Sequence, residues 1–263
     1  MNNNSEMKAF LPVKITDNKW AELLMDGQVY MRSLYEFGVW NIDAKASGNA
    51  EEVNNSFRGD IHEGIARNID PTIGDDFYNT LPQEMRNVIK NAWYLDDNLF
   101  KYLKIYSMYC LTYNIIDNEY EPPDSRLSEF GDTAVIIYNP DEFLDRILLK
   151  LSECFGDNVN FKIDEVEYFD ISGHYGDFYS AFWKTNFYRW QKELRIAIGL
   201  LDGSTSMTDS SGRVVKPLIQ DLSPLILNIG DIRDISISIS TTDLIDLKLP
   251  PIIDTPDYTE LIL

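Results

Sequence analysis

The segment between Lys184 and Arg195 holds the densest group of side chains that could do chemistry. It also contains Trp190, Gln191 and Glu193. A carboxylate beside basic groups and an aromatic ring could orient a ribose hydroxyl or act as a general base. In that interpretation Glu193 is catalytic, and Lys184, Gln191, Arg195 and Trp190 bind a ligand by its phosphates or ribose. The alternative is a structural network, in which Glu193 pairs with a neighbouring cation and Trp190 belongs to the core.

A second group of reactive types lies in the sequence RGDIHEG, from Arg58 to Gly64. Asp60, His62 and Glu63 could coordinate a divalent cation or exchange protons, and the flanking glycines allow close backbone approach. The alternative is a surface turn that closes a long loop. The chain has only two cysteines and two histidines, and neither type shows paired-ligand spacing, so no structural metal site is expected.

The charge balance limits the class of partner. The 263 residues carry 43 acidic and 23 basic side chains, for a formal net charge of −20. Direct binding to nucleic acid or to an anionic membrane is not expected, because both require clustered Lys and Arg. A disordered acidic tail is also excluded, since 44% of the residues are hydrophobic and 13% are aromatic. The charge instead suits a basic protein partner, although the acidic surplus could serve solubility alone.

The elements that must position these groups can be outlined from hydrophobic patterning. Asn139 followed by Pro140 marks a helix start, and alternation in the last third of the chain marks a strand. The expected strands are Phe10–Ile15, Gln28–Leu34, Tyr106–Ile116, Ala134–Tyr138, Phe161–Ile171, Leu194–Leu200 and Ile235–Ile239. The expected helices follow Thr16 or Asp17 to Gly27, run from Pro82 to about Lys104, and cover Pro140 to Gly156 and Phe178 to Gln191. Strands outnumber helices without regular alternation, which predicts an α+β fold with a mixed, mainly antiparallel sheet and several packed helices.

The same patterning predicts one domain and a tail. Residues 1–249 form a single α+β domain with a long loop at about 41–76, rich in Asn, Gly, Asp and Glu. Residues 250–263 contain three prolines and are expected to form an extended C-terminal tail or arm, through which homo-oligomers could form. The start of the chain lacks the apolar run of a signal peptide, and no stretch reaches membrane-spanning length. A cytoplasmic location without membrane association is therefore expected.

Several short motifs carry a resemblance. VYMRSLYEFG after Asp26-Gly27, then RGDIHEG, FGDTAVIIYNPDEF and FWK…WQKELRIAI resemble an uncharacterised bacterial domain-of-unknown-function group found in mobile elements and phage-conflict loci. The order of parts is more faintly similar to ADP-ribosyltransferase-like folds. That similarity implies NAD as a possible cofactor and Glu193 as the catalytic carboxylate that contacts a ribose hydroxyl. Lys14 stands on the early strand where that superfamily usually has His or Arg.

Two functions therefore remain open at the level of sequence. The first is an enzyme that acts on a nucleotide, by ADP-ribosyl transfer or NAD breakdown, with Glu193 as its carboxylate. The second is a non-enzymatic acidic inhibitor or nucleic-acid mimic that binds a basic host defence protein. In both cases the setting implied by the resemblance is host–phage or mobile-element conflict.

Overall fold

The computed structural model describes residues 8–34, 65–69, 79–80, 82–88, 92–95, 102–156, 161–170, 181–199 and 223–250. The strands are β1 Lys8–Thr16, β2 Gln28–Ser33, β3 Ile65–Ile69, β4 Ala92–Leu95, β5 Lys104–Asn114, β6 Glu119–Tyr120, β7 Thr133–Ile137, β8 Phe161–Glu165, β9 Glu167–Phe169, β10 Trp183–Thr185, β11 Glu193–Ile198, β12 Leu225–Asn228 and β13 Ser236–Ser240. The α-helices are α1 Asn18–Met25, α2 Gln83–Val88, α3 Pro140–Phe155 and α4 Thr241–Ile245, and 3₁₀ helices cover Ser125–Phe130 and Asn186–Gln191. The expectation of an α+β fold with a mainly antiparallel sheet is confirmed.

Strand β5 is the centre of the main sheet. It is rich in aromatic and β-branched residues, which favour a buried strand. One of its edges pairs with β11 and β6, and the other with β2 and β1 in turn. The sheet then extends antiparallel from β11 to β8 and from β1 through β7 to β13. A continuous path therefore runs β8-β11-β5-β1-β7-β13, with β8 and β13 at its two ends.

Hydrophobic clusters of buried residues cover both faces of this sheet. Helices α1 and α3 pack on one face, where Phe143, Ile147 and Leu151 of α3 are buried. The start of α3 is as predicted: the Asn139 side chain accepts a hydrogen bond from Glu142 N, and Pro140 occupies the first turn. The other face is covered by the 3₁₀ helix Ser125–Phe130 and by α4. The central strands are therefore buried from both sides.

The turn after α1 requires a glycine. Gly27 has φ +90°, and a Cβ atom there would lie 1.9 Å from the carbonyl oxygen of Gly230. Both the left-handed backbone and the close approach of a neighbouring segment exclude any side chain. The glycine at which the sequence predicts the end of the helix is therefore also a contact between two loops.

The predicted helix Phe178–Gln191 is wrong in its described part. Residues Trp183–Thr185 form β10, paired in parallel with β9, and Asn186–Gln191 form a 3₁₀ helix. Trp183 and Thr185 are residues of types that favour the extended conformation, and the buried side chain of Lys184 then holds this strand in place. Residues 178–180 lie outside the described residues.

The predicted helix from Pro82 to about Lys104 is also too long. In the described part of this range Gln83–Val88 is helical, but Ala92–Leu95 is a strand paired with β3. Aromatic residues at Trp93 and Tyr94 favour the strand, which overrides the apparent helical spacing. Strand β3 lies inside the loop expected at 41–76, and the remainder of that loop lies outside the described residues.

The expected strand Phe161–Ile171 is broken at Val166 into β8 and β9. Strand β12 and helix α4 were not anticipated from the sequence. Residues 251–263, which hold nearly all of the expected tail, lie outside the described residues, so the tail and its role in oligomers stay predictions.

Candidate functional site

A left-handed residue brings the polar side chains of the segment between Lys184 and Arg195 together. Lys192 ends the 3₁₀ helix with φ +36° and ψ +59°, a conformation that L residues rarely adopt. Its carbonyl oxygen accepts a hydrogen bond from Cys110 N at 2.8 Å, which fixes the start of β11 on β5. The chain therefore turns sharply between Gln191 and Glu193, and both side chains face Lys184.

Lys184, Gln191, Glu193 and Arg195 form what we call the charge cluster. Lys184 Nζ donates to Glu193 Oε2 and to Gln191 Oε1, both at 2.8 Å. Arg195 Nε donates to Glu193 Oε1 at 2.8 Å, and its Nη2 donates to Oε2 at 3.2 Å. Glu193 is 7% exposed, Lys184 4% and Arg195 1%, so the sequence-predicted groups meet in the interior.

The two cations determine the protonation of Glu193. Burial by itself would raise the pKa of this carboxyl group, but the charges of Arg195 and Lys184 and their hydrogen bonds outweigh that effect and hold the pKa well below its ordinary range. A carboxylate with so low a pKa is a weak base at neutral pH. It remains suited to fixing the position of other groups or to stabilising a positive charge.

Neighbouring strands are tied to the charge cluster by further hydrogen bonds. Arg195 Nη1 donates to the carbonyl oxygen of Ala181, just before β10. The backbone N–H of Glu193 donates to Tyr168 Oη of β9 at 2.9 Å. Burial and the nearby Glu193 raise the pKa of that phenol, so it stays protonated. The cluster thus connects the small β9-β10 sheet to the main sheet.

Trp190 has a different setting from the rest of the predicted site. Its ring lies 5.8 Å from that of Phe130, and the guanidinium of Arg126 lies 4.5 Å from its centroid. These contacts belong to the second core face. The predicted role of Trp190 in ligand binding is not tested by them, but its described ring contacts are those of a packing residue.

The second sequence motif cannot be placed. Asp60, His62 and Glu63 lie outside the described residues. In the described part of the chain, no group of three or more His, Cys, Asp or Glu side chains is arranged to hold a metal ion.

Lys14 is a polar group that sequence reasoning did not include in the site. Its Nζ donates to the carbonyl oxygen of Ser107 at 2.7 Å and lies 4.6 Å from the ring centroid of Tyr106. Burial lowers its pKa to about 8, against an opposing effect of Glu193. The contact occurs where β1 leaves β5 and β2 has not yet joined it. A lysine inside an otherwise apolar strand was the available sequence signal.

The outer end of the sheet carries an acidic segment that the sequence did not single out. Asp164, Glu165, Glu167 and Asp170 are all exposed, and Lys162 Nζ lies 2.7 Å from a carboxylate oxygen of Asp164. Partial burial and then the neighbouring Asp164 charge raise the pKa of Glu165. We call residues 164–170 the acidic edge; they run from the end of β8, the last strand of the path on this side, through β9.

No family model, curated protein or solved structure matches the chain. Among the described helices, none combines the length and apolar character needed to cross a membrane.

Proposed function

We propose that this protein is a non-enzymatic binding protein whose acidic edge engages a basic protein partner. The proposal rests on how positively and negatively charged side chains are distributed over the surface. Many surface cations are paired with carboxylates of the same chain. The acidic edge carries four exposed carboxylates within seven residues and includes no lysine or arginine, and one of the four, Asp164, is the partner of Lys162.

Many cations of the described chain fall into two groups. Exposed Lys19 and Arg32, which lie over the rings of Trp20 and Tyr30, and exposed Arg189 belong to neither. Buried cations are held by internal acceptors, as in the charge cluster and in Lys104, whose Nζ donates to Ser223 O at 2.8 Å. Surface cations within 3.1 Å of a carboxylate are Lys8, Arg126, Arg146, Lys150, Lys162, Lys192, Arg233 and Lys248. Charge left for a partner is therefore mainly negative.

The acidic edge is suited to a cationic partner on energetic grounds. The raised pKa of Glu165 means that its ionised form is disfavoured by burial and by the charge of Asp164. Lys or Arg side chains of a partner would relieve that repulsion on binding. A net charge of −20 would also accelerate the encounter with a basic protein, in a way that salt suppresses.

The resemblance to mobile-element and phage-conflict proteins narrows the proposal to a class of partner. A cytoplasmic nucleic-acid-binding defence protein has a basic channel, and carboxylates can stand where phosphates would lie. In this proposal the protein acts as an inhibitor that occupies such a channel.

The experiment compares two triple variants of equal charge change. Asp164→Asn, Glu165→Gln and Glu167→Gln neutralise the acidic edge, while Asp17→Asn, Glu119→Gln and Asp145→Asn neutralise exposed carboxylates elsewhere. Binding of a fluorescent decalysine peptide is measured by anisotropy at low and high salt. Basic proteins retained from a bacterial lysate are then compared for the wild type and both variants.

The edge variant should bind the peptide about tenfold more weakly, the scattered variant less than about threefold, and both differences should shrink at high salt. The edge variant should also lose lysate proteins that the scattered variant retains. Equal losses in the two variants would mean that net charge alone is at work, and would refute a specific acidic edge.

A second candidate function rests on the convergence of Lys184, Gln191, Glu193 and Arg195. This is the set of residue types that NAD-directed chemistry with Glu193 as its catalytic carboxylate would need. Purified protein is incubated with NAD, and nicotinamide release is measured for the wild type and Glu193→Ala. Release by the wild type that Glu193→Ala abolishes would support the enzyme. Absence of release, or equal release by the two proteins, would reject it.

A further inference from the structure

One face of the β2-β12 pair carries large side chains that remain open to solvent. Along β2 the buried residues Val29 and Met31 alternate with the exposed residues Tyr30 and Arg32. Ile226 of β12 lies opposite Tyr30 in the register and is 50% exposed. Side chains that lie opposite each other in an antiparallel pair share one face of the sheet. Tyr30 and Ile226 therefore form the start of an exposed apolar surface.

Helix α1 adds a second aromatic ring to this surface. Trp20 lies in the first turn of α1, and its ring centroid is 6.4 Å from that of Tyr30, with the two ring planes tilted by 34°. Trp20 is 49% exposed, whereas Ala21 and Leu24 of the same helix are buried in the core. Apolar side chains that cluster on a surface mark interaction sites, while single exposed ones need no explanation.

Two cations lie over these rings. Lys19 Nζ is 5.0 Å from the ring centroid of Trp20, and the guanidinium carbon of Arg32 is 5.3 Å from that of Tyr30. Neither cation forms an ion pair with a carboxylate of the described residues. We call Lys19, Trp20, Tyr30, Arg32 and Ile226 the aromatic face.

The carboxylates that α1 and its C-terminal end supply are engaged elsewhere. Glu22 Oε2 lies 3.1 Å from Arg233 Nη2, and Asp26 Oδ1 lies 2.9 Å from Arg233 Nη1. Within the described chain, the positive charges of Lys19 and Arg32 are thus left for a partner. A cation held over a ring is already positioned, so it loses less side-chain freedom when it binds a carboxylate. The guanidinium can also meet a carboxylate through two parallel N–H donors.

The arrangement favours an acidic peptide over a nucleic acid. Each ring has a cation over it and the two rings are tilted, so they do not offer the parallel platform on which successive bases stack. Two cations match two carboxylates, whereas a nucleic acid brings one phosphate per residue to a chain of net charge −20. Ile226 adds a contact suited to an aliphatic side chain.

We propose that the aromatic face binds an acidic segment of a partner protein in which carboxylates are interspersed with apolar side chains. The carboxylates pair with Lys19 and Arg32, and the apolar side chains cover Trp20, Tyr30 and Ile226. This surface and the acidic edge lie on opposite sides of β5, because β2 joins one edge of that strand and β11 and β8 extend from the other. The two surfaces therefore bind partners of opposite charge independently.

The test measures binding of a fluorescent peptide made of repeats of Glu-Glu-Leu-Leu, by anisotropy on the full chain. A salt concentration of about 0.15 M limits the effect of distant charges. The double variant Lys19→Gln and Arg32→Gln should bind this peptide about tenfold more weakly than the wild type. The control Arg189→Gln and Lys248→Gln removes the same charge from exposed positions elsewhere, and should change binding less than about twofold.

The apolar part of the surface is tested separately. Trp20→Ala should weaken binding about fivefold or more, while Phe187→Ala, which removes another exposed aromatic ring, should change it less than about twofold. A peptide of Glu-Glu-Ser-Ser repeats has the same charge without the leucines, and should bind at least about fivefold more weakly. Because all four substituted side chains of the cation variants and both rings are exposed, the variants should keep the wild-type circular dichroism.

Four results would overturn the proposal. The first is no binding of the leucine-containing peptide by the wild type up to about 1 mM. The second is an equal loss in the double variant and its control, which would reduce the effect to net charge. The third is tighter binding of oligothymidine than of the peptide, which would assign the aromatic face to single-stranded nucleic acid. The fourth is self-association in sedimentation velocity that Trp20→Ala abolishes, which would assign it to a second copy of the chain.

The outcome is separable from that of the acidic edge. The edge variant keeps the aromatic face intact, so it should bind the Glu-Glu-Leu-Leu peptide at least as tightly as the wild type does. Failure of the acidic edge to bind basic proteins would leave this result unchanged.

Discussion

Replacing Glu193 with glutamine removes one charge from the charge cluster and little else. The side chain keeps its shape, but Lys184 and Arg195 lose the carboxylate that receives three of their hydrogen bonds, at 2.8, 2.8 and 3.2 Å. Removing one partner from a buried ion pair typically costs about 3–5 kcal/mol, because the remaining charge is left without compensation. For a chain of this size that loss corresponds to a fall in melting temperature of about 6–20 °C.

The assay is urea denaturation at pH 7 with Glu121→Gln as the matched control. Glu121 also bridges two lysines, at 2.8 Å from Lys8 and 2.6 Å from Lys192, but its side chain is 31% exposed. Surface pairs contribute about 1 kcal/mol or less, so the control should lose far less stability. A loss of under about 1 kcal/mol for Glu193→Gln, equal to that of the control, would refute the description of the cluster as a buried ion network.

The same pair of proteins gives a pH test. The pKa of Glu193 is depressed in the folded state from an ordinary value of 4.5, so its contribution is fully present above that pH and is lost as the pH falls below it. The stability difference between the wild type and Glu193→Gln should therefore shrink by about 2 kcal/mol between pH 4.5 and pH 3. A constant difference over that range would contradict the depressed pKa.

Three other predictions follow from single positions. Gly27→Ala should lower the free energy of unfolding by about 3 kcal/mol or more in urea denaturation, since its Cβ would meet the Gly230 backbone. Gly230 has φ +84° and open space around it, so Gly230→Ala should cost about 1–2 kcal/mol. Equal losses in the two variants would contradict the steric argument. Burial lowers the pKa of Lys14 to about 8, so above that pH the unfolded chain binds more protons than the folded chain, and the stability of the wild type should rise from about pH 8 to about pH 9.5. Lys14→Met should lack this rise. An equal rise in both proteins would assign it to another group. Burial raises the pKa of Cys110 to about 12, whereas Cys154 is exposed. A thiol reagent should therefore modify Cys154 rapidly and Cys110 only after unfolding. Rapid reaction of both thiols in the folded protein would show that Cys110 is accessible.

Local sequence signals found those elements whose residues interact mainly with their own neighbours. Asn139 and Pro140 start α3 as expected, because capping and a preset φ act over one turn. The aromatic and β-branched run at β5 was likewise sufficient, because a central strand is buried on both faces. The predicted helix Phe178–Gln191 failed because its conformation depends on partners distant in sequence, including β9 and the main sheet.

The sequence by itself determined that this is a strongly acidic α+β protein and that Lys184, Gln191, Glu193 and Arg195 are its most concentrated set of polar groups. Whether those groups face a ligand or one another depends on the left-handed turn at Lys192 and on the strands packed around it. Only the tertiary structure decided this, because burial and pairing are set by residues far apart along the chain. The same holds for the aromatic face, because Ile226 is far from Trp20 and Tyr30 in the sequence and joins them only once β12 pairs with β2.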